Sequence, residues 1–370
     1  MKKVGIITMH RVLNAGSVLQ TYALFMKIKE LGYECEIIDY LYPNEFHKKK
    51  SRSGNSDLFW KSLFPRIKYF ILYRSRKQKR RFNLFLDKNL NLSISYPTSE
   101  ALIQSPPVYD IYVTGSDQVW NPICMKGDAS FFCMFSNNKA KLSYASSFSK
   151  HTIPDAYVEL YKEYLRTYKA LSVREESGQE LIYNLTGQSS TVVCDPTLLL
   201  EKDNYIQLAE CSKINIREPY LLAYILDYAY DPYPTIQELI NIISKKKKLK
   251  VIYLLSNSVD HYHWGNSVTS AGPNEFINLF LHASFVVTSS FHGTVFSLIF
   301  EKQFYSVVPK EQQEDSRVYS FLNKVGLQTR AILVGSKIPD IANLIDYVTV
   351  KPLIDKFRKD SFSFLEKALK

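Results

Sequence analysis

The sequence contains few cysteines, little glycine or proline, and no long run of apolar residues. Its 370 residues include five cysteines, an odd number with no Cys-x-x-Cys pair, which argues against a disulfide framework and a cysteine-based zinc site. Only 13 glycines and 15 prolines beside 46% hydrophobic residues exclude a collagen-like, low-complexity or disordered chain. No stretch approaches the ~18 consecutive apolar residues of a membrane-spanning helix. We therefore expect a globular protein in a reducing compartment, the cytoplasm.

The positive charge of the chain is concentrated in one segment. The net charge is +11, and residues 47–81 alone carry +12, from thirteen Lys or Arg against one acid, Asp57. Aromatic and aliphatic residues alternate with these charges, which suits a helix lying on an anionic leaflet at ~1 kcal/mol per Lys or Arg. One alternative is an insertion that packs on its own domain; another is a nucleic-acid contact, which no recognised module supports. We expect a peripheral position on the cytoplasmic face of the inner membrane through 47–81, and no nucleic-acid partner.

Segments typical of strands and helices alternate along the chain in two successive arrays. The apolar run at residues 4–9, the helical spacing at 18–31 and the strand that begins at Glu36 form a βαβ unit. The pattern restarts at residues 220–226. We predict an α/β protein with two Rossmann-like domains, whose mainly parallel sheets face each other across a cleft. The expected N-terminal domain is 1–205, with a basic and aromatic insertion at 45–85. The expected C-terminal domain is 206–370, and its last helix either stays with this domain or packs back on the N-terminal domain.

The loop after the first predicted strand is a candidate ligand loop. It has one glycine, Gly16, where the dinucleotide fingerprint Gly-x-Gly-x-x-Gly needs three, so it does not predict a dinucleotide site. Gly16 lets the backbone approach a ligand, and the N-terminus of the following helix favours an anion. His10, Asn14, Gly16 and Gln20 are therefore candidates for an acceptor or ligand loop, with an ordinary strand-to-helix turn as the alternative.

Two further motifs follow predicted strands in the N-terminal half. Residues 115–120 read GSDQVW, in which the Asp117 carboxylate suits a general base toward a sugar hydroxyl, while Gln118 and Trp120 shape an acceptor pocket. The alternative is that Asp117 caps a helix. Residues 172–178 present Arg174, whose guanidinium binds carboxylate or phosphate in bidentate fashion unless it pairs with a neighbouring Glu on a solvated turn.

A third motif, TSSFHGT at residues 288–294, joins a strand to a helix in the C-terminal half. The hydroxyls of Ser289, Ser290 and Thr294, together with Gly293, suit an oxyanion or phosphate at a helix N-terminus. Histidine side chains in general titrate near neutral pH, which makes His292 a candidate proton donor or acceptor, although a purely structural histidine is the alternative. The other histidines have no comparable setting, so we expect no metal site.

Taken in order along the chain, these motifs resemble those of the polysaccharide pyruvyl transferase family. Each motif alone is a weak signal, but six in the same order are a strong one. The segments that carry the resemblance are GIITMHR and NAGSVLQTYAL within residues 5–24, GSDQVWNP (115–122), SYASSF (143–148), SVRE (172–175), DPT (195–197) and SSFHGT (289–294). They span most of the chain, and the basic segment at 47–81 lies outside them.

The resemblance implies two Rossmann-like domains in a GT-B-like arrangement. It also implies transfer of a pyruvyl group from phosphoenolpyruvate to two hydroxyls of a sugar, which forms a cyclic ketal in capsule or exopolysaccharide biosynthesis. Arg174 and the 289–294 turn would hold the carboxylate and phosphate of this donor. His292 would be the acid or a phosphate ligand, and Asp117 the base for the acceptor. Phosphoenolpyruvate is a substrate, no metal or redox cofactor is implied, and the sugar acceptor in such enzymes is often lipid-linked.

One position departs from the family pattern. Some members have an arginine where this chain has Ser290, and that arginine provides a second guanidinium to bind phosphoenolpyruvate. Either Arg317 or Lys310, downstream of the next predicted strand, supplies that charge, or the donor site has diverged. Two other functions stay open. One is a glycosyltransferase of the same fold that uses a nucleotide sugar, and the other is a non-catalytic, membrane-recruited subunit of a polysaccharide assembly complex.

Overall fold

The structure of the chain, a computed structural model, describes residues 1–41, 65–137, 139–227, 229–255, 266–310 and 317–370. For residues 65–75 it describes the backbone alone. Most of the basic segment at 47–81 therefore lies outside the described residues, and its predicted membrane contact can be compared with side-chain positions only from Arg76 onward. Along the described ranges, no helix combines the length and the apolar character that crossing a membrane requires.

The N-terminal half is built around a five-stranded sheet in which all neighbouring strands are parallel. Its order is β3-β2-β1-β4-β5. The strands are β1 (Lys3–Ile7), β2 (Glu34–Tyr40), β3 (Leu92–Tyr96), β4 (Ile111–Thr114) and β5 (Ala140–Ser143). A short parallel pair follows, formed by β6 (Ser172–Val173) and β7 (Thr191–Val192). Isolated bridges from Leu142 to Ala170 and from Ser146 to Val173 attach this pair to the edge of the sheet next to β5.

The C-terminal half contains a second parallel sheet, of six strands. Its order is β10-β9-β8-β11-β12-β13. The strands are β8 (Tyr220–Ile225), β9 (Lys250–Leu255), β10 (Ser267–Val268), β11 (Phe285–Thr288), β12 (Gln303–Val308) and β13 (Ala331–Leu333). Every residue of the central strands β8 and β11 is buried, as expected for apolar strands covered on both faces.

Helices connect the strands, because parallel neighbours need a crossover. The described helices are α1 (Ala15–Glu30), α2 (Pro65–Asn89), α3 (Ser99–Gln104), α4 (Pro122–Met125), α5 (Asp155–Arg166), α6 (Glu176–Thr186), α7 (Lys202–Ala209), α8 (Thr235–Lys247), α9 (Pro273–His282), α10 (Phe291–Ile299), α11 (Arg317–Lys324) and α12 (Tyr347–Leu369). The predicted α/β fold with two mainly parallel sheets is confirmed.

The last helix, α12, lies against the N-terminal half. The Arg358 Nε donates a hydrogen bond to the carbonyl of Leu198 at 2.6 Å. The backbone N–H of Cys194 donates to the Ser361 Oγ at 2.8 Å, which ties α12 to the segment that follows β7. These buried contacts link the end of the chain to residues close to the candidate site.

Helix α2 makes a second connection between the halves. Its Arg81 donates from Nη1 to the carbonyl of Ser270 at 2.7 Å and pairs with Glu275 of α9 at 3.2 Å. Its Phe85 ring packs edge-on against Tyr22 of α1, with centroids 5.8 Å apart. The end of the basic segment is thus part of the folded core between the two sheets.

Candidate functional site

The site lies where the N-termini of two helices meet, one from each half. Asn14 caps α1, and its side chain accepts from the backbone N–H of Gly16 at 2.9 Å. Ser290 caps α10, and its hydroxyl accepts from the backbone N–H of Gly293 at 3.3 Å. A Cβ built on Gly16 would lie 2.2 Å from the Cγ of His292, so the two helices meet through a glycine that has no room for a side chain. Both helix dipoles therefore place partial positive charge at this junction.

Arg174 is the central cation of the site. It follows β6, its side chain is 1% exposed, and its Nη1 donates to the Asp195 Oδ2 at 2.9 Å. Its Nη2 lies 3.7 Å from the Asp117 Oδ1, and its guanidinium lies 4.6 Å from the centre of the Phe291 ring. Burial lowers the pKa of Arg174, but the nearby carboxylates more than reverse this effect, so the guanidinium is charged. The alternative of a solvated Arg–Glu turn does not fit, because Glu175 instead accepts from backbone N–H groups.

Asp195 joins the two halves from the loop after β7. Its Oδ2 accepts from Arg174 and from the Ser116 Oγ at 3.1 Å, and it lies 3.6 Å from the His292 Nε2. Its Oδ1 accepts from the backbone N–H of Thr197 at 3.0 Å and from the Thr197 hydroxyl at 2.7 Å. Burial raises the pKa of Asp195, but His292, Arg174 and Thr197 outweigh burial and hold the pKa below its usual range.

Asp117 is the second carboxylate of the site. Its Oδ2 accepts from the hydroxyl of Ser17 in α1, and its Oδ1 accepts from the backbone N–H of Gln118 at 2.9 Å. Burial raises the pKa of Asp117, but the nearby charges of Arg174 and His292 outweigh burial and lower this pKa below its usual value. The carboxylate is therefore ionised at neutral pH. Its φ of 75° is in the left-handed region, a strained conformation that is common at functional sites. Asp117 caps no helix among the described elements that follow it, since α4 is capped by Asn121.

A second arginine approaches the same ring from the C-terminal half. The guanidinium of Arg317, the first residue of α11, lies 5.9 Å from the centre of the Phe291 ring that Arg174 also contacts. Its charge contributes to lowering the pKa of Asp117. Lys310, the other residue predicted to replace an arginine at position 290, is exposed. The structure therefore brings Arg317, rather than Lys310, to the cluster.

The hydroxyls of the 288–294 turn are engaged in holding the turn itself. The Ser289 hydroxyl accepts from the backbone N–H of Leu226 at 2.7 Å and donates to the carbonyl of Leu226 at 2.9 Å. Thr294 shares a hydrogen bond with Ser306 at 2.7 Å. A Cβ on Gly293 would lie 2.3 Å from the Thr288 Oγ1. Ser289, Gly293 and Thr294 thus fix the backbone that presents His292, and the hydroxyls of Ser289 and Thr294 are bonded within the fold.

His10 and Gln20 lie beneath the first loop. His10 is fully buried, and its ring nitrogens face the Thr8 carbonyl at 3.1 Å and the Asp39 Oδ1 at 2.9 Å. Arg11 also donates to Asp39, at 2.7 Å to each oxygen. The Gln20 amide donates to the Thr8 hydroxyl at 3.0 Å. Both predicted loop residues therefore fix the shape of the loop and do not reach the cluster around Arg174.

Trp120 lies in the core rather than at a pocket wall, whereas the acceptor role of Gln118 stays a prediction. Trp120 is 0% exposed, its Nε1 donates to the Phe131 carbonyl at 3.2 Å, and its ring stacks on Phe132 with centroids 5.5 Å apart. Trp120 is therefore a core residue, and none of its surface is exposed to a ligand. The half-buried Gln118 accepts from the Asn121 side chain at 2.8 Å, which holds the turn after Asp117.

Four residues that the sequence analysis did not single out complete the site. They are Ser17, Ser116, Asp195 and Phe291. All four lie within the motifs that carry the family resemblance, and each lies in the first turn of a helix or within three residues of the end of a strand. That position was the signal available for them, because the loops at the carboxyl ends of parallel strands converge.

The site combines fixed charges with buried nitrogens that make ion-pair contacts or none, but no hydrogen bond in the described part of the chain. The Nε and Nη2 of Arg174 and the Nε2 of His292 are buried and have no hydrogen-bond partner among the described residues. Buried polar groups are normally satisfied, so these three nitrogens are available to an anionic ligand. No group of three potential metal-ligating side chains is found in the part of the chain that the structure describes.

The architecture is similar to that of solved sugar-nucleotide enzymes. UDP-GlcNAc 2-epimerase from Methanocaldococcus jannaschii, in complex with UDP-GlcNAc and UDP, matches with a TM-score of 0.51 and 14% identity, over 98% of this chain and 93% of that one. Arabidopsis thaliana UGT89C1, complexed with UDP-L-rhamnose, matches with a TM-score of 0.51 and 10% identity, over 99% and 98% of the two chains. At these identities the likeness shows the fold alone. The fold, with an ionic site between its halves, is that of a GT-B-like protein.

The family follows from the sequence match. The model of the polysaccharide pyruvyl transferase family matches residues 14–311, and the chain belongs to this family. It is accordingly a transferase that acts in polysaccharide modification. The matched region contains Gly16, Asp117, Arg174, Asp195 and His292, whereas Arg317 lies beyond it. A comparison with curated proteins gave no significant match.

Proposed function

We propose that the protein transfers a pyruvyl group from phosphoenolpyruvate to two hydroxyls of a sugar and forms a cyclic ketal. The observation that carries this proposal is the set of buried nitrogens of Arg174 and His292 that make no hydrogen bond within the described residues, placed where two helix N-termini meet. Phosphoenolpyruvate carries a carboxylate and a phosphate. A guanidinium binds such groups in bidentate fashion, and two nitrogens of Arg174 make no hydrogen bond within the described residues. Arg317, which also lies close to the Phe291 ring, supplies a second positive charge for the same donor.

The residues have distinct roles in the proposed reaction. His292 gives a proton to the methylene carbon of phosphoenolpyruvate, which leaves an oxocarbenium-like centre at the adjacent carbon. The first sugar hydroxyl attacks this centre, and Asp117, which is ionised, accepts its proton. Loss of inorganic phosphate regenerates the electrophilic centre, and the second hydroxyl closes the ketal and releases its proton. The atoms balance as phosphoenolpyruvate plus a diol giving a ketal plus phosphate, with no change of oxidation state overall.

Access to this site requires the two halves to separate. The side chain of Asp195 is 0% exposed, and the side chains of Arg174 and His292 are 1% and 8% exposed. Gly16 and His292 come from opposite halves and touch, so separation of the halves exposes the nitrogens of Arg174 and His292 that would bind phosphoenolpyruvate. Closure of the halves then returns these nitrogens to a water-poor environment.

A thermal-shift titration tests the identity of the donor. A ligand that binds the native state at 100 times its dissociation constant stabilises a protein by about 2.7 kcal/mol, which raises the melting temperature by several degrees. We expect a saturable rise with phosphoenolpyruvate that is lost in Arg174→Ala and kept in Lys310→Ala. A rise with nucleotide sugars alone would instead assign a glycosyltransferase of this fold. The absence of any rise with either ligand would favour the non-catalytic subunit of an assembly complex.

We further propose that the basic segment holds the protein on an anionic membrane, near a lipid-linked acceptor. Within its described part, Arg76, Lys77, Lys79 and Arg80 are all exposed on α2. At ~1 kcal/mol per charge, replacing these four residues by Gln lowers partitioning onto vesicles that contain phosphatidylserine by about a thousandfold. A matched control replaces the four lysines at 245–248, at the end of α8, and is expected to leave sedimentation with the vesicles unchanged. Equal losses in the two variants would refute a specific membrane-facing segment.

A further inference from the structure

Asp195 is held in one orientation by its own turn. Its Oδ1 accepts from the backbone N–H of Thr197 at 3.0 Å and from the Thr197 hydroxyl at 2.7 Å. Thr197 is itself fully buried and begins a short 3-10 helix, Pro196–Leu199, against which α12 packs. The carboxylate therefore cannot rotate freely, and its other oxygen faces a fixed direction.

That second oxygen is shared by groups from both halves of the molecule. The Asp195 Oδ2 accepts from Arg174 at 2.9 Å and from Ser116 at 3.1 Å, both in the N-terminal half, and lies 3.6 Å from the His292 Nε2 in the C-terminal half. One oxygen atom thus sets the distance between the guanidinium and the imidazole.

The surroundings of Asp195 exclude a direct contact with the donor. Its side chain is 0% exposed, its oxygens are occupied by donors from the protein, and its negative charge repels an anionic substrate. It hydrogen-bonds only the Nη1 of Arg174, and the Nε and Nη2 make no hydrogen bond within the described residues. Its effect on a ligand must therefore be exerted through Arg174 and His292.

We infer that Asp195 is a positioning residue that holds Arg174 and His292 at the spacing needed to grip and protonate one donor molecule, with Thr197 fixing its orientation. The inference rests on the proposed pyruvyl transfer. When the halves close, Gly16 contacts the His292 ring at Cγ and Nδ1, and Asp195 faces its Nε2. Asp195 thereby couples closure to the assembly of the donor site.

The test uses Thr197, because removing Asp195 itself takes away the nearest carboxylate of the buried Arg174 and endangers folding. Thr197→Val removes the hydroxyl that fixes Asp195, and Thr197→Ser retains it. We expect Thr197→Val to lower kcat for phosphate release on the order of tenfold, with the KM for phosphoenolpyruvate nearly unchanged, and Thr197→Ser to restore kcat. An unchanged kcat in Thr197→Val, or a loss that Thr197→Ser does not restore, would overturn the inference.

A second readout does not depend on the reaction. The imidazole signals of His292 in a long-range proton–nitrogen NMR spectrum, identified by their absence in His292→Gln, should shift in Thr197→Val and return in Thr197→Ser. The signals of His10, which is bonded to Asp39 elsewhere, serve as the internal control and should not move. Movement of both histidines would indicate general destabilisation and overturn the inference, as would no movement of His292. If phosphoenolpyruvate fails to bind the wild-type protein, the proposed function fails, whereas these signals still report on Asp195.

Discussion

The contact between Gly16 and His292 makes Gly16→Ala a direct probe of how closely the two halves must meet. The added methyl group would lie 2.2 Å from the Cγ and Nδ1 of His292, whereas ordinary contact begins at 3.4 Å, so the imidazole or α1 must move by about 1.2 Å. A displacement of about 1 Å at a reacting group lowers a rate by up to about 100-fold. Overpacking also costs about 1–3 kcal/mol when the halves cannot relax.

Phosphate release from phosphoenolpyruvate is the assay, read together with the thermal shift caused by the donor. We expect Gly16→Ala to lower kcat by roughly 100-fold and to weaken stabilisation by phosphoenolpyruvate. Gly178→Ala is the matched control, since Gly178 also lies in the first turn of a helix and its nearest neighbour, the Phe148 ring, is 3.2 Å from the built Cβ. If Gly16→Ala retains the activity of Gly178→Ala, the closed contact between the halves is not needed for catalysis and the reasoning fails.

Three other predictions follow from the charges of the site. Asp117→Asn keeps the shape that accepts from Ser17 but removes the base, so phosphate release should fall by about 100-fold or more with an unchanged circular dichroism spectrum, and full activity would exclude Asp117 as the base. Arg317→Ala should raise the KM for phosphoenolpyruvate by roughly tenfold, because a charged hydrogen-bond donor is lost. Lys310→Ala should leave this KM unchanged, and the reverse result would assign the second cation to Lys310. Burial raises the pKa values of Asp117 and Asp195, but Arg174 and His292 lower them below their unfolded values, so this stabilisation is complete above about pH 4 and is lost as the pH falls further. Urea unfolding measured at stepwise lower pH should show that decline, and a constant free energy of unfolding down to about pH 3 would contradict it.

The buried parallel strands were predictable from the sequence because they are continuous apolar runs. Strand β8, for example, reads YLLAYI with every residue buried, and β11 is similar. The edge strand β3 was not predicted, because its LSISY sequence is polar and half exposed, and β13 has only three residues. These edge strands form through pairing with a neighbour, and no local sequence pattern records that pairing.

The candidate site could be predicted only in part. The motif positions correctly indicate that Asp117, Arg174 and His292 come together, because loops at the carboxyl ends of parallel strands converge. The sequence did not distinguish residues that face the cluster from residues that hold the loops. Trp120 illustrates the difference, because its burial against Phe132 depends on how the whole chain packs.

Formation of the ketal is the most direct test of the central claim. The protein is incubated with phosphoenolpyruvate and a panel of lipid-linked, polymeric and nucleotide-bound sugars, and each acceptor is examined by mass spectrometry while released phosphate is measured. We expect phosphate release together with an acceptor that gains one pyruvate minus one water, and loss of both in His292→Gln. Transfer of a glycosyl unit from a nucleotide sugar to the same acceptors, without consumption of phosphoenolpyruvate, would contradict it.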